Sequence, residues 1–257
     1  MTSTTKLTNR GSPWVTITAP RPWARLRLVC VPFAGSGTSV YREWAAHLPD
    51  EVEVVAAALP GREGRIAEPA LDSVDALAAG LVAGLSTHLD RPFALFGHSM
   101  GALVAFEVIR RLRPMGLEPV HFFASAHKAP HVRTKRTPDR HPLPDDEFVA
   151  AVDRLNGIPT EILENAEFME MILPSLRADF RAAETYDYRP GLPLHCPISA
   201  YGGLDDDGVI HEDIEAWGHH TRGAFRVQMF PGDHFFVNSS RDRLLRSICT
   251  DLEVGPW

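Results

Sequence analysis

The feature that most constrains the fold of this 257-residue chain is a Gly-His-Ser-Met-Gly pentapeptide at residues 97–101. It follows a short apolar run at residues 93–96 and precedes an apolar, helix-forming segment at residues 102–109. A chain that passes from a strand into a helix through Gly-x-Ser-x-Gly must turn sharply, and the turn holds the serine in a strained conformation. The two glycines leave space where a Cβ would collide. We therefore predict that Ser99 lies exposed on a tight strand-to-helix turn.

A strand, a tight turn and a helix in this order form the nucleophile elbow of α/β-hydrolases. The rest of the chain alternates in the same way, with apolar strand patterns at residues 26–31, 52–58, 93–96, 120–125, 198–201 and 225–230. Helical patterns fall at residues 41–47, 74–89, 99–113 and 241–252. Such alternation predicts a mostly parallel sheet with helices on both faces. We expect one α/β-hydrolase domain over residues 1–257, in which residues 1–12 form a disordered tail.

Residues 131–189 interrupt this alternation, because they contain polar turns and helical stretches but no strand pattern. Leu-Pro-Asp-Asp-Glu-Phe at residues 143–148 is typical of a helix start. Pro174 predicts a kink or a restart in a helix over residues 169–180, since proline lacks the amide that the helix requires. The insertion is long for a connection, which favours a helical lid over the nucleophile. The alternative is a structural excursion without a role in catalysis.

A serine nucleophile needs a base to take its proton and a carboxylate to orient that base. In this fold the chain order is serine, acid, histidine. Of the 12 histidines, His234 follows the last predicted strand, in Pro-Gly-Asp-His-Phe-Phe, where the fold places its base. His98 is next to Ser99, but consecutive side chains at a sharp turn do not face each other. His219 and His220 are expected on a surface helix.

The acid is expected in the loop after the strand at residues 198–201, which contains Asp205, Asp206 and Asp207. The usual hydrolase spacing, Gly-x-x-Asp-x-x-Val, fits a glycine at position 203, Asp206 and a valine at position 209. Asp205 is the second choice and Asp207 the least favoured. Three acids in a row could also bind a divalent cation, but the Asp-x-Asp-x-Asp-Gly spacing of calcium loops is absent. We predict Asp206 as the triad acid and no metal.

An oxyanion hole requires two amide donors. One is expected from Met100 at the start of the helix, and the other from the loop after the first core strand, Pro-Phe-Ala-Gly at residues 32–35, where we select the Ala34 amide. Gly-Ser-Gly at residues 35–37 could instead contact a phosphate, but the full Gly-x-Gly-x-x-Gly pattern and a Walker lysine are absent.

Charge and cysteine content restrict the partners and the compartment. The formal net charge of −7 argues against binding to nucleic acid or to anionic membranes. The three cysteines are far apart, which is typical of reduced thiols in the cytoplasm. No apolar run approaches the roughly 18 residues of a membrane span, and the first 12 residues lack the apolar core of a signal peptide. We expect a soluble cytoplasmic monomer.

Several motifs together resemble one family, the type II thioesterases that accompany polyketide and nonribosomal peptide synthases. They run in family order between residues 26 and 252, at residues 31–35, 59–62, 96–101, 143–148, 173–180 and 232–236. The chain departs from the family pattern at two places. Gly-Ser-Gly at residues 35–37 stands where members often continue Phe-Ala-Gly-Gly, and Gly-Asp-His at residues 232–234 stands where they often have Gly-Gly-His. Neither departure removes a catalytic group.

The resemblance implies an editing enzyme without a cofactor, which hydrolyses stalled acyl groups from the phosphopantetheine arm of acyl or peptidyl carrier proteins. In that reaction Ser99 attacks the thioester, the Ala34 and Met100 amides hold the oxyanion, and His234 relays the proton. A serine carboxylesterase or lipase that acts on free small esters is the alternative enzyme. A catalytically silent acyl-binding protein is the alternative outside enzymes.

Overall fold

The computed structural model describes residues 12–134, 137–155, 157 and 160–255. The predicted tail at residues 1–12 lies outside these ranges except for its last residue. The strands are β1 (Val15–Thr16), β2 (Leu26–Val31), β3 (Val52–Ala57), β4 (Phe93–His98), β5 (His121–Ser125), β6 (Ile198–Gly203) and β7 (Phe225–Phe230). The α-helices are α1 (Val74–Leu85), α2 (Met100–Leu112), α3 (Asp145–Asp153), α4 (Thr160–Leu163), α5 (Ala166–Glu184), α6 (His211–Glu215), α7 (Phe236–Ser239) and α8 (Arg241–Asp251).

The strands form one seven-stranded sheet in the order β1-β3-β2-β4-β5-β6-β7. β1 pairs antiparallel with β3, and every other pairing is parallel. The predicted mostly parallel sheet is therefore confirmed. The two-residue strand β1 was not predicted, because so short a segment has no readable alternation. The helix expected at residues 41–47 is instead two short 3₁₀ helices, Thr38–Tyr41 and Trp44–His47.

Both faces of the sheet are covered, which explains why its central strands are continuous apolar runs. Alternate residues of β2 point to opposite faces, so that Val29 belongs to one hydrophobic core and Leu28 to the other. The first core contains residues of α1 and α2, and the second contains residues of α8 and of the 3₁₀ helix Trp44–His47. The six parallel strands all end at the same edge. The loops that follow β4, β6 and β7 carry the three predicted triad residues, and Ala34 lies in the loop after β2.

The described part of the insertion contains the three helices α3, α4 and α5, joined by turns and irregular segments. The predicted helix start at residues 143–148 matches α3. Of the kink or restart predicted at Pro174, the restart does not occur, because α5 runs through this residue. Ser175 Oγ donates to the Ile172 carbonyl at 2.9 Å, and Leu176 is buried against Phe148 of α3. Packing of this face therefore stabilises the helix across the missing amide.

The prediction that both His219 and His220 lie on the surface is wrong for His220. These residues belong to the 3₁₀ helix Ala216–His220, where side chains three residues apart lie on the same side. Trp217 and His220 are consequently both buried beside Phe106 of α2, whereas His219 is exposed. Burial lowers the pKa of His220 to about 4.

Candidate active site

Ser99 occupies the predicted tight turn between β4 and α2. Its backbone has φ 53° and ψ −121°, which is a strained conformation for a residue with a side chain. A Cβ at Gly97 would lie 2.1 Å from the Gly101 carbonyl oxygen, and a Cβ at Gly101 would lie 2.2 Å from the Val31 carbonyl oxygen. Close backbone approach, rather than a positive φ, therefore requires both glycines. The Ser99 amide donates to the Ser125 carbonyl at 2.8 Å, which fixes the turn against β5.

The structure brings Ser99, His234 and Asp206 together in one hydrogen-bonded series. His234 Nε2 lies 2.9 Å from Ser99 Oγ, and His234 Nδ1 lies 2.6 Å from Asp206 Oδ2. Since a carboxylate only accepts, Nδ1 carries the proton and Nε2 is left to accept the hydroxyl proton of the serine. The three residues come from the loops after β4, β7 and β6, all at the carboxyl edge of the sheet.

The Asp206 carboxylate is held in place from its other side. Its Oδ1 accepts hydrogen bonds from the amides of Gly208, at 2.9 Å, and Val209, at 3.2 Å. The side chain is only 4% exposed, which strengthens its interaction with His234. Asp205 is exposed, and its amide donates to the Gly232 carbonyl. Of the three acids that the sequence offered, Asp206 is the one that contacts His234.

His98 has a role in the site that the sequence analysis missed. Its ring is fully buried, and burial together with the nearby His234 ring lowers its pKa well below the ordinary value. The neutral ring donates from Nε2 to the His234 carbonyl at 2.9 Å, so its Nδ1 accepts from Ser125 Oγ, also at 2.9 Å. His98 thus ties the loop that carries His234 to the ends of β4 and β5. The available signal was that a histidine ending a buried strand needs partners for both ring nitrogens.

Ala34 and Met100 line the same cavity as Ser99. Met100 is the first residue of α2, so its amide has no acceptor within the helix. Ala34 lies in a turn in which the Ser36 amide donates to the Phe33 carbonyl at 3.1 Å. Both residues predicted to supply the oxyanion hole therefore line the cavity that contains Ser99.

The cavity above Ser99 has a volume of about 780 Å³. Its walls include Met171, Ile172 and Leu176 of α5, so the insertion forms part of the cavity that contains Ser99. In the described ranges, no group of three or more His, Cys, Asp or Glu side chains is arranged to hold a metal ion. Every helix of those same ranges is too short or too polar to cross a bilayer.

The sheet is mostly parallel, and the carboxyl ends of its strands carry a serine that contacts a histidine, which in turn contacts an aspartate. This combination defines an α/β-hydrolase. The family profile described as thioesterase domain matches residues 26–252. The chain is also 41% identical over 232 residues to the gramicidin S biosynthesis protein GrsT of Aneurinibacillus migulanus, with 90% of each protein covered. The chain therefore belongs to the thioesterase family.

Two solved structures show which group of thioesterases this chain resembles. The type II thioesterase BorB from the borrelidin biosynthetic cluster superposes with a TM-score of 0.86 at 40% identity, covering 93% of this chain and 98% of BorB. The RedJ thioesterase from the prodiginine pathway of Streptomyces coelicolor gives 0.83 at 41% identity, covering 90% of this chain and 87% of RedJ. The resemblance to type II thioesterases stated from the sequence is confirmed, and the chain is a hydrolase of that group.

Proposed function

We propose that this thioesterase hydrolyses aberrant or stalled acyl groups from the phosphopantetheine arms of acyl or peptidyl carrier proteins. The observation that carries the proposal is the hydrogen-bonded series Asp206, His234 and Ser99 at the base of a cavity of about 780 Å³. GrsT is named for gramicidin S biosynthesis and BorB comes from the borrelidin cluster, and both support a role beside a modular synthase.

In the acylation step, Ser99 Oγ attacks the thioester carbonyl carbon while His234 Nε2 takes the hydroxyl proton. Asp206 stabilises the imidazolium that forms, and the oxyanion accepts hydrogen bonds from the Ala34 and Met100 amides. Collapse of the intermediate breaks the carbon–sulfur bond and leaves an acyl-serine, and the proton on His234 Nε2 passes to the departing pantetheine sulfur. The departing pantetheine thiol has a pKa near ~8.5, so it needs less proton donation than an alkoxide.

In the deacylation step, a water molecule takes the place of the thiol. His234 Nε2 removes its proton, the hydroxide attacks the acyl-serine carbonyl, and the same two amides hold the second oxyanion. The proton then passes to Ser99 Oγ and the carboxylic acid leaves. Every group in this sequence belongs to the chain or the substrate, so we propose no cofactor and no metal, and phosphopantetheine enters only as part of the substrate.

The compartment and the assembly state are part of the same proposal. The described cysteines are free and buried, which is compatible with the reducing cytoplasm where such synthases work. The net charge of −7 supports a protein partner rather than nucleic acid or an anionic membrane. We propose a monomer that meets the carrier protein transiently.

We also propose that residues 131–189 act as a mobile lid. The amino-terminal part of α5 is loosely packed, because Phe168 and Met171 are 37% and 47% exposed, whereas Leu176 further along is 2% exposed. When an alkyl phosphonate occupies Ser99, hydrogen exchange should slow in α3, α4 and the first half of α5. Amides in the central strands β2 to β5 serve as the internal control. Identical exchange in the insertion with and without the phosphonate would argue for a static cover.

The substrate class is tested by a comparison of acyl carrier thioesters with nitrophenyl esters of the same acyl chain. We expect kcat/KM to favour the carrier thioester by at least about tenfold, since contacts remote from the reacting carbonyl contribute to transition-state binding. A preference for the free ester would instead indicate a carboxylesterase. Labelling by a fluorophosphonate, absent in Ser99→Ala, separates both enzymes from a silent acyl-binding protein.

A further inference from the structure

A buried ion pair lies beside the active site and takes no part in the steps above. Arg62, just after β3, meets Asp179 of α5 with two parallel contacts, Nη1 to Oδ2 at 2.5 Å and Nη2 to Oδ1 at 2.8 Å. The two side chains are 7% and 0% exposed. Burying two charges costs desolvation that their attraction offsets only in part, so such a pair is weak evidence for a role in stability. Its other contacts indicate what it does.

Both members of the pair also contact the loop that carries the proposed oxyanion donor, residues 33–39, which we call the oxyanion loop. Asp179 Oδ2 accepts from the Gly35 amide at 2.8 Å. Arg62 Nη1 makes a longer contact with the Ser36 carbonyl oxygen, at 3.3 Å. The Gly35 amide belongs to the peptide plane that joins it to Ala34. A fixed acceptor at that amide therefore restricts rotation about the Ala34 backbone, and so the direction of the Ala34 N–H.

The far end of the oxyanion loop is held by the residue next to Arg62. The Glu63 carboxylate accepts from the Thr38 amide at 2.8 Å, from Thr38 Oγ1 at 2.7 Å and from the Ser39 amide at 3.1 Å. Leu176 of α5 packs on the near end, where a Cβ at Gly35 would lie 2.6 Å from Leu176 Cδ1. The loop is thus fixed at both ends, and Ala34, which lies between them, lines the same cavity as Ser99.

We propose that Asp179 and Arg62 are positioning residues for the oxyanion hole. The ion pair holds the Asp179 carboxylate where the Gly35 amide needs its acceptor, and this orients the Ala34 amide toward the oxyanion that forms at the thioester carbon. Preorganised donors of this kind act only if they are fixed before the charge develops. The inference rests on the proposed serine mechanism and adds to it two residues that act through the oxyanion loop.

The chain offers a matched control in a second buried pair, Arg27 and Glu53. Arg27 Nε donates to Glu53 Oε2 at 2.7 Å, and the side chains are 2% and 5% exposed. These residues lie near the starts of β2 and β3, at the opposite edge of the sheet from the site. Loss of charge there measures what a buried pair contributes to stability alone.

The first test compares Asp179→Asn with Glu53→Gln. For Asp179→Asn we expect kcat to fall by about 10- to 100-fold, with KM changed by less than about threefold. The oriented Ala34 amide stabilises the transition state rather than the bound substrate, so its misplacement lowers kcat. The inhibition constant of an alkyl boronic acid should rise by a similar factor, since its tetrahedral adduct places an oxygen in the oxyanion hole. Glu53→Gln should lower the melting temperature and leave kcat and the boronate affinity near those of the unchanged enzyme.

A second variant guards against simple misfolding. Removal of one partner leaves the other charge buried without compensation, which destabilises the fold. Replacement of both partners by apolar residues of similar volume is often neutral for stability. The double variant Arg62→Met/Asp179→Leu should therefore melt near the unchanged enzyme but stay slow, because the Gly35 amide has lost its acceptor. Each rate is divided by the concentration of active sites, which is measured by titration with a fluorophosphonate, so that misfolded enzyme is not counted. Recovery of kcat and boronate affinity in the double variant, or their retention in Asp179→Asn, would show that the pair is only structural.

The test also separates this inference from the proposed function. If the unchanged enzyme fails to hydrolyse carrier thioesters, the proposed function is wrong, yet boronate affinity and the rate of Ser99 phosphonylation still report the state of the oxyanion loop. If the unchanged enzyme hydrolyses thioesters and the Asp179 variants match it, only the positioning role is lost.

Discussion

Replacement of Ser99 by alanine is expected to lower kcat for acyl carrier hydrolysis by about 10⁶-fold, the loss typical of a removed triad nucleophile. The fold should remain intact, because alanine removes only the Ser99 hydroxyl and keeps the amide whose bond to the Ser125 carbonyl holds the strained turn. Thioester turnover, measured together with the melting temperature, tests both parts. A residual rate within about tenfold of the unchanged enzyme would exclude Ser99 as the nucleophile.

Asp206→Asn is expected to lower kcat by about 10²- to 10⁴-fold. An asparagine can present its NH₂ group to His234 Nδ1, which favours the tautomer that protonates Nε2 and so removes the acceptor for the Ser99 proton.

Asp205→Asn is the matched control for this variant, because it makes the same chemical change one residue away and alters the net charge equally. Asp205 is exposed, so its variant should keep kcat within about threefold, as surface substitutions generally do. Both rates are measured on the same acyl carrier substrate. If Asp205→Asn were the slower enzyme, the spacing and the contact with His234 would both have pointed to the wrong acid.

Local patterns explain which features could be predicted from the sequence. The elbow around Ser99 and the buried strands follow from residue types within a few positions of one another, and the order of chain elements places His234 and Asp206 at the same edge of the sheet. The helix does not restart at Pro174, one of the two outcomes predicted there, because packing of α5 around Leu176 outweighs the loss of one amide. His220 was misplaced because a 3₁₀ turn, unlike an α-helix, aligns it with Trp217.

Contacts between distant segments could not be predicted in this way. Arg62 and Asp179 are 117 residues apart in the chain, and nothing near either one indicates its partner. The bond from His98 to the His234 carbonyl joins residues 136 positions apart. Such contacts depend on how the insertion and the last loop fold back over the sheet, which is a property of the tertiary structure alone.

The position of Asp179 within α5 has a consequence for attempts to alter the acyl range by exchanging insertions between relatives. The same helix supplies Leu176 to the cavity wall and, one turn later, the carboxylate that holds the Gly35 amide. A graft of residues 131–189 therefore transfers the shape of the pocket and the support of the oxyanion loop as one unit. Chimeras that keep an acid at position 179 opposite Arg62 should change chain-length preference without a loss of kcat. Grafts that lack this acid should accept new acyl chains but hydrolyse them with a lower kcat.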